Sequence, residues 1–202
     1  ETYVDNTTIH IILRCSSDFL IQSVFWAAGH SCEDCQKNCL LFQYNIIVGS
    51  DNNLPKDLIY TLASSLQSIL VGENISLIYY SAWAICRLIQ NYSLLLDLKD
   101  VFNCLFSTVD HQQLLDSQAS IPLLRMTVKT LRNTETFPPA NEILPIIDWS
   151  SLVQQMNSID HEISYLSCRV CQYLIKLGIE CIDAALSNKI LDIACLIFED
   201  GS

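Results

Sequence analysis

The residues best suited to chemistry are a histidine and three cysteines that lie within ten positions of one another. They are His30, Cys32, Cys35 and Cys39. Thiolate and imidazole groups are the ligands that structural zinc prefers, and zinc takes four of them. A second Cys-x-x-Cys motif lies at residues 168–171. Each segment is therefore a candidate zinc site or, in a different chemistry, a candidate redox pair.

The spacing of these cysteines favours a packing role over both chemistries. The three cysteines of the first segment are separated by three and four residues and continue into the apolar residues Leu40, Phe42 and Ile46. Such residues line one face of a helix, where a free thiol packs as a small hydrophobe. Cys168 and Cys171 fall in the middle of another predicted helix. Neither motif opens a helix after a strand, as a redox pair typically does. We therefore expect no metal and no cofactor, and zinc binding is kept as an alternative.

The remaining polar residues form no recognisable catalytic constellation. The histidines are scattered at positions 10, 30, 111 and 161, and no serine or cysteine stands in a nucleophile elbow. The glycines form no phosphate-binding loop, and four of them fall where helices are expected to stop. The sequence therefore predicts a protein with no catalytic and no cofactor-binding residues.

The composition predicts a folded protein and argues against nucleic acid as a partner. Half of the residues are apolar and 16% are charged, which supplies ample material for a core. A formal net charge of -11 repels phosphates. The most apolar helical stretch, residues 75–86, is shorter than the roughly 20 residues that span a bilayer. We therefore expect no transmembrane segment and other proteins as partners.

Two features of the sequence raise secretion as an alternative. The chain has ten cysteines and N-glycosylation sequons at Asn6, Asn74 and Asn91, as a disulfide-bonded, glycosylated helical domain would have. Most of the cysteines, however, fall on apolar helical faces and not in the loops of a small, core-poor chain. The chain shows no basic and apolar leader, which argues against a secretory signal, and the unusual first residue Glu1 suggests a fragment of a larger protein. We favour a reduced, cytoplasmic protein.

The elements that would hold these residues are all helical. The clearest unit runs over residues 55–90, where Pro55 starts a helix, Gly72 ends it and Asn74 caps its antiparallel partner. Similar punctuation predicts further helices, with a capping box from Ser31 to Asp34 at the start of one of them. Their spans are 18–28, 31–48, 93–109, one from 120, 141–148 interrupted by Pro145, one from 149, 160–177 ended by Gly178, and 181–198.

The spacing of these hairpins predicts a helical solenoid. Successive hairpins start about 35 to 45 residues apart, within the range of HEAT and armadillo repeats. We predict an all-α solenoid of about four to five antiparallel helix pairs, forming a single segment over residues 1–202 with a possible subdivision at the connector 133–141. A non-repeating helical bundle is the structural alternative, because no sequence motif recurs with the hairpins.

One stretch resembles a known family. Residues 143–152, Ile-Leu-Pro-Ile-Ile-Asp-Trp-Ser-Ser-Leu, resemble a segment of the focadhesin family, in which a Leu-Pro, apolar, Asn/Asp-Trp, small, Leu pattern opens a helix. Ile146 and Asp148 stand where the family pattern has Pro and Asn. On physical grounds Pro145 blocks the preceding helix and Asp148 caps the helix that begins at Trp149.

The resemblance implies a function but transfers no site residue. It implies a fragment of a cytosolic HEAT-repeat scaffold, associated in that family with focal adhesions and with the SKI helicase complex that feeds the RNA exosome. From the residues alone we predict a non-enzymatic scaffold that binds proteins along a face built from one helix of each pair. The alternatives are the secreted disulfide-bonded domain and a zinc-binding helical module.

Overall fold

The described part of the chain is built from helices. The computed structural model describes residues 22, 29, 32–50, 52–96, 119–132 and 140–200, and within these ranges it contains no strand. The predicted all-α class is therefore confirmed for this part of the chain. The helices are α1 Glu33–Gly49, α2 Lys56–Leu70, α3 Ile75–Tyr92, α4 Ser120–Arg132, α5 Ala140–Ile143, α6 Trp149–Met156, α7 His161–Ile175, α8 Ile179–Ser187 and α9 Ile190–Asp200. Single 3-10 turns occupy Ser93–Leu95 and Leu144–Ile146.

The chain divides into two compact units, Glu1–Asp97 and Leu98–Ser202. The first contains α1 to α3 and the second contains α4 to α9. Most of the predicted connector, residues 133–139, lies outside the described residues, and residues 140 and 141 already belong to α5. None of the described helices is long and apolar enough to cross a membrane.

In the first unit, α2 and α3 form the predicted hairpin. The buried residues of α2 recur every four positions, at Leu58, Leu62, Leu66 and Leu70. This spacing places them on one helical face, which packs against α3. The buried hydroxyl of Ser81 on α3 donates a hydrogen bond of 2.6 Å to the carbonyl oxygen of Leu66. The two helices are thus joined by apolar packing and by one polar contact.

The link between α2 and α3 contains the predicted helix-ending and helix-starting residues. Helix α2 ends at Leu70, and the N–H of Gly72 donates to the carbonyl oxygen of Ile69 at 3.0 Å. The side chain of Asn74 then accepts a hydrogen bond of 3.2 Å from the N–H of Leu77. The Asn74 cap is confirmed, since it satisfies one of the N–H groups that the first helical turn leaves without a partner.

A buried hydrogen-bond chain ties the end of α3 to the segment between α1 and α2. The N–H of Leu54 donates to the Tyr92 hydroxyl at 3.2 Å, and this hydroxyl lies 3.0 Å from the Ser50 hydroxyl. Ser50 in turn donates to the carbonyl oxygen of Ile47 at 3.0 Å. Because the Ser50 proton is directed to Ile47, Tyr92 is the donor to Ser50. Helix α3, which packs against α1 as well as α2, is therefore also anchored at its last residue.

In the second unit, α7 is the central helix. It packs against α4, α6 and α8, while α9 contacts α8 and α6. The core combines buried residues from α4 to α9. Its members include Leu124, Leu131, Ile143, Leu152, Met156, Val170, Leu174, Ala185 and Ile190. The second unit thus has a hydrophobic core of its own, organised around α7.

Two aspartates start consecutive helices of this unit. Asp148 accepts hydrogen bonds from the N–H groups of Ser150 and Ser151 at 3.0 and 3.1 Å, so the predicted cap of α6 is confirmed. Asp160 accepts from the N–H groups of Glu162 and Ile163 at 2.8 and 3.3 Å and caps α7. Together the caps fix where α6 and α7 begin, and only a short link separates the two helices.

Several predicted helix boundaries differ from the structure. The N-cap of α1 is Cys32 and not Ser31, so the predicted capping box does not start this helix, and Ser31 itself lies outside the described residues. No α-helix starts at Ser93, because the 3-10 turn there ends at the extended residue Leu96. The predicted helix 181–198 is two helices, broken at Lys189, whose φ is 57°. The helix predicted over 18–28 and residues 97–118 lie outside the described residues, apart from residue 22.

Gly178 occupies a backbone conformation that other residues rarely adopt. Its φ is +152°, it is the N-cap of α8, and no heavy atom would lie within 4 Å of an added Cβ. Replacing Gly178 by Ala should therefore lower the free energy of unfolding by about 1–3 kcal/mol through backbone strain alone. Urea denaturation followed by circular dichroism measures this change.

The neighbouring substitution Ile179→Ala is the control, because Ile179 is exposed. It should change the free energy of unfolding by less than about 0.5 kcal/mol. A Gly178→Ala protein as stable as this control would show that residue 178 does not need a glycine.

Candidate functional site

The first cysteine motif lies at the start of α1. Cys32 is the N-cap, with φ -90° and ψ 117°, and Cys35 is the third helical residue. Both thiols are exposed, and Cys39 is half-buried. The predicted packing role is therefore wrong for Cys32 and Cys35. The reason is that α1 buries side chains only from Leu40 onward, so its first turn contributes nothing to the core.

The two exposed thiols have different acidities. The N–H of Cys35 lowers the pKa of Cys32 most, followed by the Cys35 thiol and the N–H of Asp34, while the Asp34 carboxylate opposes them. The backbone N–H groups act on the sulfur as dipoles, although their geometry falls short of a cap hydrogen bond. The hydrogen bond to Cys32 raises the pKa of Cys35, with a smaller contribution from desolvation. Cys32 is therefore the more nucleophilic member of the pair.

The predicted metal candidates form no group of three or more ligands among the described residues. In this part of the chain, no group of three or more His, Cys, Asp and Glu side chains is placed to hold a metal ion. This statement covers Cys32, Cys35 and Cys39. The fourth candidate, His30, lies outside the described residues.

The second cysteine motif has the opposite character. Cys171 is buried in the core of the second unit, where its Sγ lies 3.5 Å from the Sδ of Met156. Burial, with a smaller contribution from the charge of Cys168, raises the pKa of Cys171 to about 12. The thiol is therefore protonated at neutral pH and packs as a small hydrophobe. Cys168 is half-buried, and burial raises its pKa as well.

An aromatic and basic stripe runs along a partly exposed side of α7, with Tyr173 also packed against the core. We define this α7 stripe by its four residues, Tyr165, Arg169, Tyr173 and Lys176, whose spacing of four, four and three places them on one side of a helix. The Arg169 guanidinium lies 5.3 Å from the centre of the Tyr173 ring, and the Lys176 ammonium lies 5.2 Å from it. The ring thus attracts two cations, each within the distance typical of cation–π contacts.

Further hydrogen bonds hold the middle of the α7 stripe in place. Arg169 donates to the Tyr173 hydroxyl at 3.2 Å and to the side chain of Gln172 at 2.8 Å. Tyr165, by contrast, is 62% exposed. Sequence analysis missed this stripe because it followed the apolar face of α7. The Tyr-x-x-x-Arg-x-x-x-Tyr spacing in the sequence is the pattern that indicates this stripe.

The comparisons with known proteins bear on the fold only. No protein-family model matches the sequence, and no curated protein matches it. Among solved structures, the chain is similar to the crystal structure of an engineered protein, with a TM-score of 0.68 and 14% sequence identity. The alignment covers 95% of this chain and 75% of the engineered one. This similarity shows a shared helical fold.

Proposed function

We propose that this protein is a non-enzymatic scaffold, arranged as a HEAT- or armadillo-like series of about four to five helix pairs, that binds other proteins. The hairpin of α2 and α3 and the successive helices α6 and α7 support such a series. In helical-repeat proteins, neighbouring pairs stack and expose one helix of each pair to partners. A cytoplasmic location and a partner among focal-adhesion proteins or the SKI complex remain part of the proposal, supported by the resemblance at residues 143–152.

The α7 stripe is the observation that carries this proposal. Tyrosine and arginine are enriched in protein interfaces, because they bury a large area and offer hydrogen bonds from few rotatable groups. In the stripe, Arg169 is already held against Tyr173, so less side-chain freedom is lost on binding. Tyr165 exposes its ring next to this ordered pair. A partner surface with an apolar pocket flanked by carboxylates would complement the stripe.

The buried cysteines support a reduced compartment. Cys86, Cys171 and Cys181 are buried within the helices α3, α7 and α8. Buried thiols in a helical core differ from the loop cysteines of disulfide frameworks. Several disulfide bonds in the purified protein would instead support the secreted alternative, and near-stoichiometric zinc in protein purified without chelator would support the zinc module.

The experiment compares partner capture by matched tyrosine variants. Wild-type protein, Tyr165→Ala and Tyr60→Ala are immobilised and exposed to cell extract, and the retained proteins are quantified by mass spectrometry. Tyr60 is a suitable control because it is 51% exposed and lies on α2, in the other unit. We expect at least one protein to be retained by the wild type and by Tyr60→Ala. The retained amount of this protein should fall at least about tenfold with Tyr165→Ala, as at a binding hot spot.

Two outcomes would contradict the proposal. Either no protein is retained above the level of an immobilised unrelated protein, or every retained protein binds Tyr165→Ala as well as the wild type. Circular dichroism should show the same helix content for all three proteins, because both tyrosines are exposed.

A further inference from the structure

We propose that Cys32 and Cys35 form a reversible dithiol–disulfide site, oxidised by small disulfides of the glutathione type and by protein disulfides. The inference does not depend on the scaffold proposal. It rests on two properties of this pair, which are its position at the start of α1 and the exposure of both cysteines.

The helix start places the two cysteines within the spacing that a disulfide needs. Residues three apart in a helix have Cα atoms about 5 Å apart, inside the range of about 4.4–6.8 Å found for disulfides. Cys32, with its extended backbone, occupies the N-cap, the position from which a capping side chain reaches the third helical residue. That residue is Cys35. An S–S bond can therefore close with little movement of the backbone.

Exposure distinguishes this pair from the other Cys-x-x-Cys motif. Cys32 and Cys35 are exposed, whereas Cys171 is buried against Met156 in the middle of α7. A disulfide reagent can reach the first pair without any unfolding. Because α1 buries side chains only from Leu40 onward, a bond in its first turn leaves the packing of α1 against α3 unchanged.

The local charges assign the roles of the two thiols. Helix N–H groups lower the pKa of Cys32 and make it the attacking thiolate, while the pKa of Cys35 is raised. The charge of the Asp34 carboxylate opposes thiolate formation at both sulfurs. The nearby ammonium of Lys37 is paired with Glu33 at 2.7 Å. The acidity of Cys32 thus depends on the helix start and on Cys35, with no neighbouring cation as its main cause.

The reaction is a two-step exchange. The Cys32 thiolate attacks one sulfur of the glutathione disulfide, which breaks the S–S bond, forms a mixed disulfide and releases one glutathione thiolate. Cys35 then loses its proton to solvent and attacks the Cys32 sulfur, releasing the second glutathione as a thiolate. The two released thiolates are reprotonated according to their pKa. In total the dithiol is oxidised by two electrons, and one glutathione disulfide is reduced to two glutathione thiols.

The test uses the full chain in buffers of defined ratio of reduced to oxidised glutathione, followed by alkylation of free thiols, digestion and mass spectrometry. We expect the wild type to form an internal disulfide between Cys32 and Cys35 that excess reduced glutathione reverses. Cys35→Ser should instead accumulate a mixed glutathione disulfide at Cys32, because the second thiol is missing. Cys195→Ser removes an exposed cysteine elsewhere and should behave as the wild type.

The rates of the two single variants test the assigned roles. At neutral pH, Cys32 in the Cys35→Ser protein should react with glutathione disulfide at least about twofold faster than Cys35 in Cys32→Ser, because the N–H groups of the helix start lower the pKa of Cys32. The proposal is overturned if the wild type forms only mixed disulfides at these residues, if neither residue reacts, or if Cys35 forms an internal disulfide with a third cysteine as readily in Cys32→Ser. Circular dichroism of the oxidised and reduced wild type should be the same.

Discussion

Replacement of Leu174 by alanine should lower the free energy of unfolding by about 2–5 kcal/mol. Leu174 is fully buried on α7 and belongs to the core that combines α4 to α9. Truncation removes methyl groups from this core and leaves a cavity, because a central helix packed against three others cannot close the gap. Urea denaturation followed by circular dichroism measures the loss.

Leu186→Ala is the matched control for this prediction. Leu186 lies on α8 of the same unit and is 52% exposed, so the same truncation removes little buried surface. We expect Leu186→Ala to lower the free energy of unfolding by less than about 1 kcal/mol, because the half-exposed side chain buries little apolar surface. If Leu174→Ala were no more destabilising than Leu186→Ala, α7 would not be the centre of this core.

Removal of the Tyr92 hydroxyl should cost about 1–3 kcal/mol of stability, although Tyr92→Phe keeps the ring. The hydroxyl accepts from the N–H of Leu54 and donates to Ser50, and all three residues are buried. Phenylalanine leaves the buried Leu54 N–H without this acceptor. A buried donor without a partner costs its full desolvation free energy, because water does not replace the lost hydrogen bond. Chemical denaturation of the variant and the wild type measures the difference.

Tyr60→Phe is the control for the hydroxyl, because Tyr60 is 51% exposed and water replaces its lost contacts. Its stability should stay within about 0.5 kcal/mol of the wild type. Adding Ser50→Ala to Tyr92→Phe should cost less than the sum of the two single changes, since both remove the same hydrogen bond. Additive effects would argue against the hydrogen-bond chain.

The local part of the fold could be predicted from the sequence. The hairpin of residues 55–90 follows from apolar residues spaced three and four apart, and the caps at Asn74 and Asp148 follow from side chains that bond N–H groups two or three residues ahead. These interactions lie within one helical turn, so their residues are close in sequence. The break at Lys189 could not be predicted in this way. No glycine marks it, and α9 reaches α6 as well as α8 only because the chain turns there.

The candidate sites depended on information that the sequence does not contain. The spacing of Cys32, Cys35 and Cys39 is the same whether a helix begins at residue 31 or at residue 33. The shift of the N-cap from residue 31 to residue 32 leaves Cys32 at the cap and both members of the pair exposed. On α7, periodicity identified the buried face, but it does not show that Arg169 and Lys176 both lie against Tyr173. Such contacts depend on side-chain conformations, and these are determined by how the helix packs.

For this protein, the sequence by itself determined the helical class, the clearest hairpin and the caps at Asn74 and Asp148, because these depend on short-range hydrogen bonds and on the period of the helix. Only the tertiary structure decided which cysteines serve the core and which are open to reagents. The physical reason is that burial depends on where a neighbouring helix makes contact. Cys171 packs against Met156 in the core, where its thiol is not accessible to reagents. Cys32 and Cys35, by contrast, come before Leu40, the first buried residue of α1. The same residue type in the same motif therefore acquires two different chemistries.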